Sequence, residues 1–168
     1  MGKKAEKITG LALAASLAAI WMLAPVPQWM GQGHVLRCAL THHFWHANAF
    51  HLAANCLALL AFAWVLPRWY RLLPAAYIAG SLSYFCALGP VIGVSNILFA
   101  MSGLCVPRIR GYWKRPETWV FLAVMAGMLA FPRLSATTHI TAFALGTVFG
   151  FVGRAIRRTA DDCRRARG

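Results

Sequence analysis

Apolar residues are grouped along this chain into six long stretches, which short polar or charged segments separate. The stretches are residues 8–26, 44–66, 72–88, 92–106, 118–131 and 136–153. The first three and the last approach the ~20 consecutive apolar residues that an α-helix needs to cross a bilayer, whereas the fourth and fifth are shorter. The pattern predicts an all-α membrane protein, a bundle of six transmembrane helices that forms a single domain over residues 1–168.

The charged residues indicate how this bundle is oriented. Only 12% of the 168 residues are charged, about half the proportion in a soluble globular chain. Of the 17 basic residues, 15 precede the first segment, follow the sixth, or lie between the second and third or the fourth and fifth; the other two are Arg37 and Arg133. Because basic residues are retained on the cytoplasmic side, we expect six crossings with both termini in the cytoplasm.

The same distribution accounts for the net charge of +13. A basic chain of this size suggests nucleic-acid binding, but membrane topology already explains where the basic residues lie. We therefore expect no nucleic-acid partner. The expected setting is the cell inner (plasma) membrane, with the protein in contact with membrane lipid.

Polar residues inside apolar segments are costly, which makes them the first functional candidates. The densest group opens the second segment and contains His42, His43, His46, His51 and Asn55. On a helix, His51 and Asn55 share one face, whereas His42 and His46 point to roughly the opposite side. We therefore expect His42 and His46 in an outer loop or at the helix mouth, with His51 and Asn55 directed inward.

Each of these residues also has an ordinary structural interpretation. His42 and His43 suit helix-end residues that bond to water or a carbonyl, and His51 with Asn55 suits an interhelical hydrogen bond. A metal or haem site is a further alternative. No H-E-x-x-H motif occurs and no acidic ligand is nearby, so we expect neither a metal nor another cofactor.

The second candidate is a serine that follows a turn. Gly89, Pro90 and Gly93 precede Ser95, which the pattern places near the first turn of a short helix. A serine there often caps the helix. The same position also suits a nucleophile, since the N–H groups at a helix start can hold a developing oxyanion.

The sixth segment contains a histidine on a face of small residues. His139 shares an arc of about 80° with four small residues, Ala142, Gly146, Gly150 and Gly153. Gly146 and Gly150 form a G-x-x-x-G pair, which lets a neighbouring helix approach closely. Helix packing alone would explain the glycines, but the histidine lies at the outer end of its helix, as Ser95 does.

In the predicted topology, the second, fourth and sixth segments all start outside. His51, Asn55, Ser95 and His139 therefore lie in the same outer half of the bilayer. The chain has only four acidic residues, and none lies at that level. A serine nucleophile would then work through a Ser-His dyad, without a third acidic residue.

These motifs resemble those of the rhomboid intramembrane serine proteases over essentially the whole six-helix core. The matching patterns are H-x3-H-x4-H-x3-N, G-V-S and H-x2-A-x3-G, formed by His42, His46, His51, Asn55, Gly93, Ser95, His139, Ala142 and Gly146. The resemblance implies that Ser95 is the nucleophile and His139 the general base and acid. It also implies that His51, Asn55 and the Ser95 N–H stabilise the oxyanion, and that Phe99 stacks on the histidine; His46 and Gly93 are supporting residues.

The sequence departs from the family at three places. Asn96 stands where the family usually has glycine after the nucleophile. Leu36-Arg37 lies close to where the family often has a Trp-Arg pair in the first outer loop, but the tryptophan is missing. The last outer loop, around residues 132–135, is very short. The expected function is that of an intramembrane serine endopeptidase that cleaves transmembrane protein substrates near the outer membrane face. The alternative, which Asn96 favours, is an inactive rhomboid-like protein that binds transmembrane helices.

Overall fold

The protein is described by a computed structural model that covers residues 2–28, 30, 34–87, 91–107, 114, 119, 122–123, 126–127 and 136–165. These residues form helices and connections, with no strand among them. Six α-helices have defined bounds: α1 (Lys3–Leu23), α2 (Val35–Thr41), α3 (Ala49–Val65), α4 (Leu73–Ser83), α5 (Ser95–Cys105) and α6 (Ala136–Arg165). Short 3-10 helices follow α2, precede α4 and follow α4, at His42–Phe44, Trp69–Leu72 and Tyr84–Cys86.

Five of the six predicted segments each overlap one of these helices, with shifted bounds. In the predicted segment 118–131, nine of the 14 residues lie outside the described residues. α2 was not predicted, because its seven residues contain Arg37 and Thr41 and fall between two long apolar stretches. α6 continues to Arg165, twelve residues past the predicted end, because arginine and alanine are good helix formers even where the apolar pattern stops.

The chain breaks sharply before α3. The segments Val35–Phe44 and Ala49–Val65 are bent by 76° relative to each other. Asn48 caps the new helix, since its side-chain oxygen accepts a hydrogen bond of 2.8 Å from the His51 N–H. The second predicted segment, 44–66, therefore begins five residues too early, and the break separates His42 and His46 from His51 and Asn55.

Two described helices, α1 and α6, are long and apolar enough to cross a membrane. A third candidate span appears if Val35–Phe44 and Ala49–Val65 count as one broken crossing. α4 and α5 have 11 residues each, a length of about 16 Å. This is well short of the ~30 Å hydrocarbon core. The six crossings remain a prediction.

α5 is the centre of the bundle and packs against both α4 and α6. Nine of its 11 residues are buried.

Glycines on α5 and α6 let the two backbones touch. A Cβ on Gly146 would overlap the carbonyl oxygen of Ala100, and one on Gly150 would stand 2.9 Å from the oxygen of Leu104. The predicted small-residue face of α6 therefore packs on α5 as far as Gly150. Among the described residues, this packing does not extend to Gly153, where a Cβ would have only the Arg157 side chain within 4 Å.

The outer faces of the helices are apolar. Large hydrophobic side chains that are more than half exposed occur on α1, α3 and α6, among them Met22, Leu57, Trp64, Ile140 and Phe151. A soluble monomer rarely exposes so many large apolar side chains. Contact with lipid chains would remove these side chains from water, so the exterior suits a membrane.

A buried acid fastens α1 to the connection before α4. Glu6 is 5% exposed, and its Oε1 accepts a hydrogen bond of 3.0 Å from the Arg68 N–H. Arg68 has a φ of 60°, a conformation that costs a residue with a side chain some energy. The Glu6 backbone oxygen also accepts a hydrogen bond of 3.2 Å from the Trp69 indole. These bonds hold the start of α1 beside the chain that leaves α3.

Candidate active site

The site is centred on the first residue of α5. Ser95 begins this helix and is 1% exposed. The N-cap residue is Val94, and no side chain caps the helix. Since the Ser95 hydroxyl does not cap its own helix, the capping interpretation is not favoured. The first N–H groups of a helix have no partner within the helix, so those around Ser95 can donate to a bound oxygen.

The hydroxyl of Ser95 is instead directed at α6. Its Oγ lies 2.9 Å from Nε2 of His139, a distance typical of a hydrogen bond. His139 is in the first turns of α6 and is 2% exposed. The close glycine packing between α5 and α6 brings the two helix starts together, although 44 residues separate the two side chains in sequence.

The second nitrogen of His139 has no hydrogen-bond partner within the described part of the chain. Two of the four acids, Asp161 and Asp162, are exposed on the same helix, about 33 Å further along its axis. Glu6 is occupied at Arg68, and Glu117 lies outside the described residues. The arrangement is thus a serine and a histidine with no acidic side chain bonded to them among the residues that are described.

Phe99 packs against the ring of His139. It lies one turn after Ser95 on α5 and is 4% exposed. Its ring stacks on that of His139, with the two centroids 4.5 Å apart and the planes tilted by 25°. An aromatic face at this distance limits how the imidazole can rotate.

α3 supplies two buried polar side chains that face the loop before Ser95. His51 and Asn55 lie one turn apart, at 8% and 0% exposure. A Cβ built on Gly93 would stand 2.9 Å from the His51 Nε2 and 3.3 Å from the Asn55 Nδ2. Gly93 has a φ of +115°, which glycine adopts readily and other residues rarely do. Because residue 93 is a glycine, the chain can turn there and α3 can approach closely.

Neither His51 nor Asn55 makes a side-chain hydrogen bond in the part of the chain that is described. They are not used for an interhelical bond, which was their ordinary alternative. Buried polar atoms without partners are costly. At a site, the Asn55 Nδ2 and the protonated ring nitrogen of His51 are donors available to a ligand. His46 is also buried beside them, with its ring 5.3 Å from that of His51. Both of its ring nitrogens likewise lack hydrogen-bond partners among the described residues.

The sequence did not predict the contact between His42 and Asn96. His42 was expected in a loop or at a helix mouth, but it is fully buried in the 3-10 helix after α2. Its ring does bond to carbonyls, as its ordinary interpretation predicted. Its contact with Asn96, 54 residues away, could be suspected only from the polar residue at the usual glycine position.

The fold and the site together define a helical membrane protein with a buried serine–histidine pair where two helices begin. The sequence profile of the Rhomboid domain matches residues 32–156, well over half of the 168-residue chain. The chain therefore belongs to the rhomboid family, whose members are generally intramembrane serine proteases, and the resemblance read from the motifs is confirmed. No curated protein matches the sequence significantly.

Proposed function

We propose that this protein is an intramembrane serine endopeptidase that cleaves transmembrane protein substrates near the outer membrane face. The observation that carries the proposal is the 2.9 Å contact between Ser95 Oγ and His139 Nε2, with both side chains almost completely buried. A buried serine hydroxyl bonded to an imidazole is the arrangement that activates it for attack on a carbonyl.

In the acylation step, Ser95 Oγ attacks the carbonyl carbon of the scissile peptide while His139 Nε2 takes the hydroxyl proton. The tetrahedral intermediate carries a negative oxygen. The Ser95 N–H, His51 and Asn55 stabilise this oxygen, since the two side chains have no other partner in the described residues. The C–N bond then breaks, and His139 returns the proton to the leaving amine.

In the second step, a water molecule attacks the ester carbonyl of the acyl-enzyme. His139 takes a proton from this water, and the carboxyl product leaves as the proton returns to Ser95 Oγ. Water reaches the dyad from the outer side, because the proposed topology places the starts of α3, α5 and α6 there. The same topology has six crossings and both termini in the cytoplasm, in the cell inner membrane.

Asn96 is the residue that favours the alternative, an inactive protein that only binds transmembrane helices. Its side chain is bonded to His42. The Ser95–His139 contact and the stacked Phe99 are present beside it. These contacts support the enzyme over the inactive alternative.

The test uses the purified chain in liposomes with single-span membrane proteins tagged at both ends. We expect cleavage within or beside the span that is lost in Ser95→Ala and His139→Ala. Ser102→Ala is the matched control, because Ser102 is on the same helix and bonds only to the Leu98 carbonyl in the described contacts. Equal cleavage by the parent, Ser95→Ala and His139→Ala would refute the proposal.

A further inference from the structure

Asn96 directly follows the proposed nucleophile and is completely buried. Its side-chain Nδ2 lies 3.3 Å from Nε2 of His42. A glycine at this position would have no side chain to make the contact. The polar residue thus joins the first turn of α5 to the 3-10 helix after α2.

The other ring nitrogen of His42 fixes the direction of this hydrogen bond. His42 Nδ1 lies 3.0 Å from the Cys38 carbonyl oxygen and 3.1 Å from that of Ala39. Carbonyl oxygens only accept, so the hydrogen of the neutral ring is on Nδ1 and Nε2 is an acceptor. The Asn96 Nδ2 therefore donates to the His42 Nε2, whereas the Asn96 Oδ1 has no hydrogen-bond partner among the described residues.

His42 holds the loop on the other side of the nucleophile as well. Its backbone oxygen accepts a hydrogen bond of 2.8 Å from the Gly93 N–H. One residue thus bonds to the second position before Ser95 and to the position directly after it. A third restraint comes from α4, where a Cβ on Gly80 would stand 3.2 Å from the Asn96 carbonyl carbon.

We infer that Asn96 is a positioning residue for Ser95, acting through its hydrogen bond to His42. Ser95 lies between two points that His42 fixes, and its hydroxyl must stay within hydrogen-bond distance of His139. Loss of the Asn96–His42 bond frees the first turn of α5 on one side, which loosens the serine relative to the histidine. This inference rests on the proposed function, because it concerns the geometry of that reaction.

The test compares Asn96→Gly, Asn96→Leu, His42→Phe and the Asn96→Leu/His42→Phe double variant with the parent protein. Cleavage of a tagged single-span substrate in liposomes gives kcat and KM, and thermal unfolding in detergent gives stability. We expect each single change to lower kcat about three- to tenfold, as for loss of one buried hydrogen bond, with KM unchanged. The double variant should be no slower than the slower single one, since both changes remove the same bond. Ser102→Ala should retain the parent kcat.

Two results would overturn the role of Asn96. One is a kcat for Asn96→Gly equal to that of the parent, and the other is a double variant whose loss is the product of the two single losses. If Asn96→Leu or His42→Phe does not fold, Asn96→Gly still decides, because it introduces no volume and has the residue usual in the family. A parent chain that does not react through Ser95 defeats the proposed function and this inference together, whereas an active parent with an equally active Asn96→Gly defeats only the inference.

Discussion

Gly146 of α6 lies directly against Ala100 of α5, so closely that a Cβ on the glycine would overlap the Ala100 carbonyl oxygen. Gly103 of α5 makes the reciprocal approach, where a Cβ would stand 2.7 Å from the backbone nitrogen of Thr147. These contacts set the spacing of the two helices whose first turns carry Ser95 and His139. Backbone packing along α5 and α6 therefore determines the geometry of the dyad.

The first prediction concerns this helix spacing. Gly146→Val should force α5 and α6 apart and cost about 1–3 kcal/mol of unfolding free energy. It should also lower protease activity at a temperature where the protein is still folded, because the serine and histidine separate. Gly153→Val is the control, since the Arg157 side chain is the only described group within 4 Å of a Cβ at that position. Thermal unfolding and substrate cleavage measured together check the prediction, and equal behaviour of the two variants would contradict it.

The second prediction concerns the turn before the nucleophile. Gly93→Ala should reduce kcat at least about tenfold, because a side chain at a φ of +115° is strained and its Cβ would meet His51 at 2.6 Å. Gly127→Ala, at a position where a Cβ would have no other described atom within 4 Å, should leave kcat unchanged. Steady-state cleavage kinetics of the two variants provide the check. A fully active Gly93→Ala would show that His51 need not keep its place.

The third prediction concerns the ring that stacks on His139. Phe99→Leu keeps an apolar side chain but loses the stack, which is worth about 0.5–1.5 kcal/mol, so kcat should fall about two- to tenfold. Phe62→Leu removes a buried ring from α3, two turns beyond Asn55, and should lower stability without the same loss of kcat. Comparing kcat with the midpoint of thermal unfolding separates the two effects. The stack has no catalytic role if both variants lose activity only in proportion to stability.

The fourth prediction concerns stability away from the site. Glu6→Ala removes the acceptor of the part-buried hydrogen bond from the Arg68 N–H and should cost about 0.5–1.5 kcal/mol. Glu6→Gln keeps an oxygen that can accept the bond and should lie much closer to the parent. Thermal unfolding in detergent measures both. Equal destabilisation by the two changes would indicate that the carboxylate charge matters more than the hydrogen bond.

The sequence was sufficient to predict a helical chain and the family, because apolar segments, basic connections and three spaced motifs all appear as local patterns. It also indicated that one straight helix could not hold His42 and His51 on the same side. The position of the break was available in principle, since Asn48 is a good capping residue just before the apolar run of α3. The predicted segment began at residue 44 because it followed the apolar stretch, whereas α3 begins at Ala49.

What the sequence could not provide is the contact between distant residues. The bonds from Asn96 to His42 and from Glu6 to Arg68 join positions 54 and 62 residues apart. Neither bond follows from periodicity or local propensity, because each joins two elements that meet only when the chain packs. The extent of α6 was also hidden, since hydropathy stops near Gly153 while the helix continues through residues that favour helix without being apolar.

The most direct test of the central claim is covalent labelling of the purified protein with a fluorophosphonate, which reacts with activated serine hydroxyls. We expect one site of labelling, identified as Ser95 by peptide mass spectrometry, that is absent in Ser95→Ala and strongly reduced in His139→Ala. The Ser102→Ala variant should be labelled like the parent. A folded parent protein that does not react, or one whose labelling persists in Ser95→Ala, would contradict a Ser95–His139 dyad.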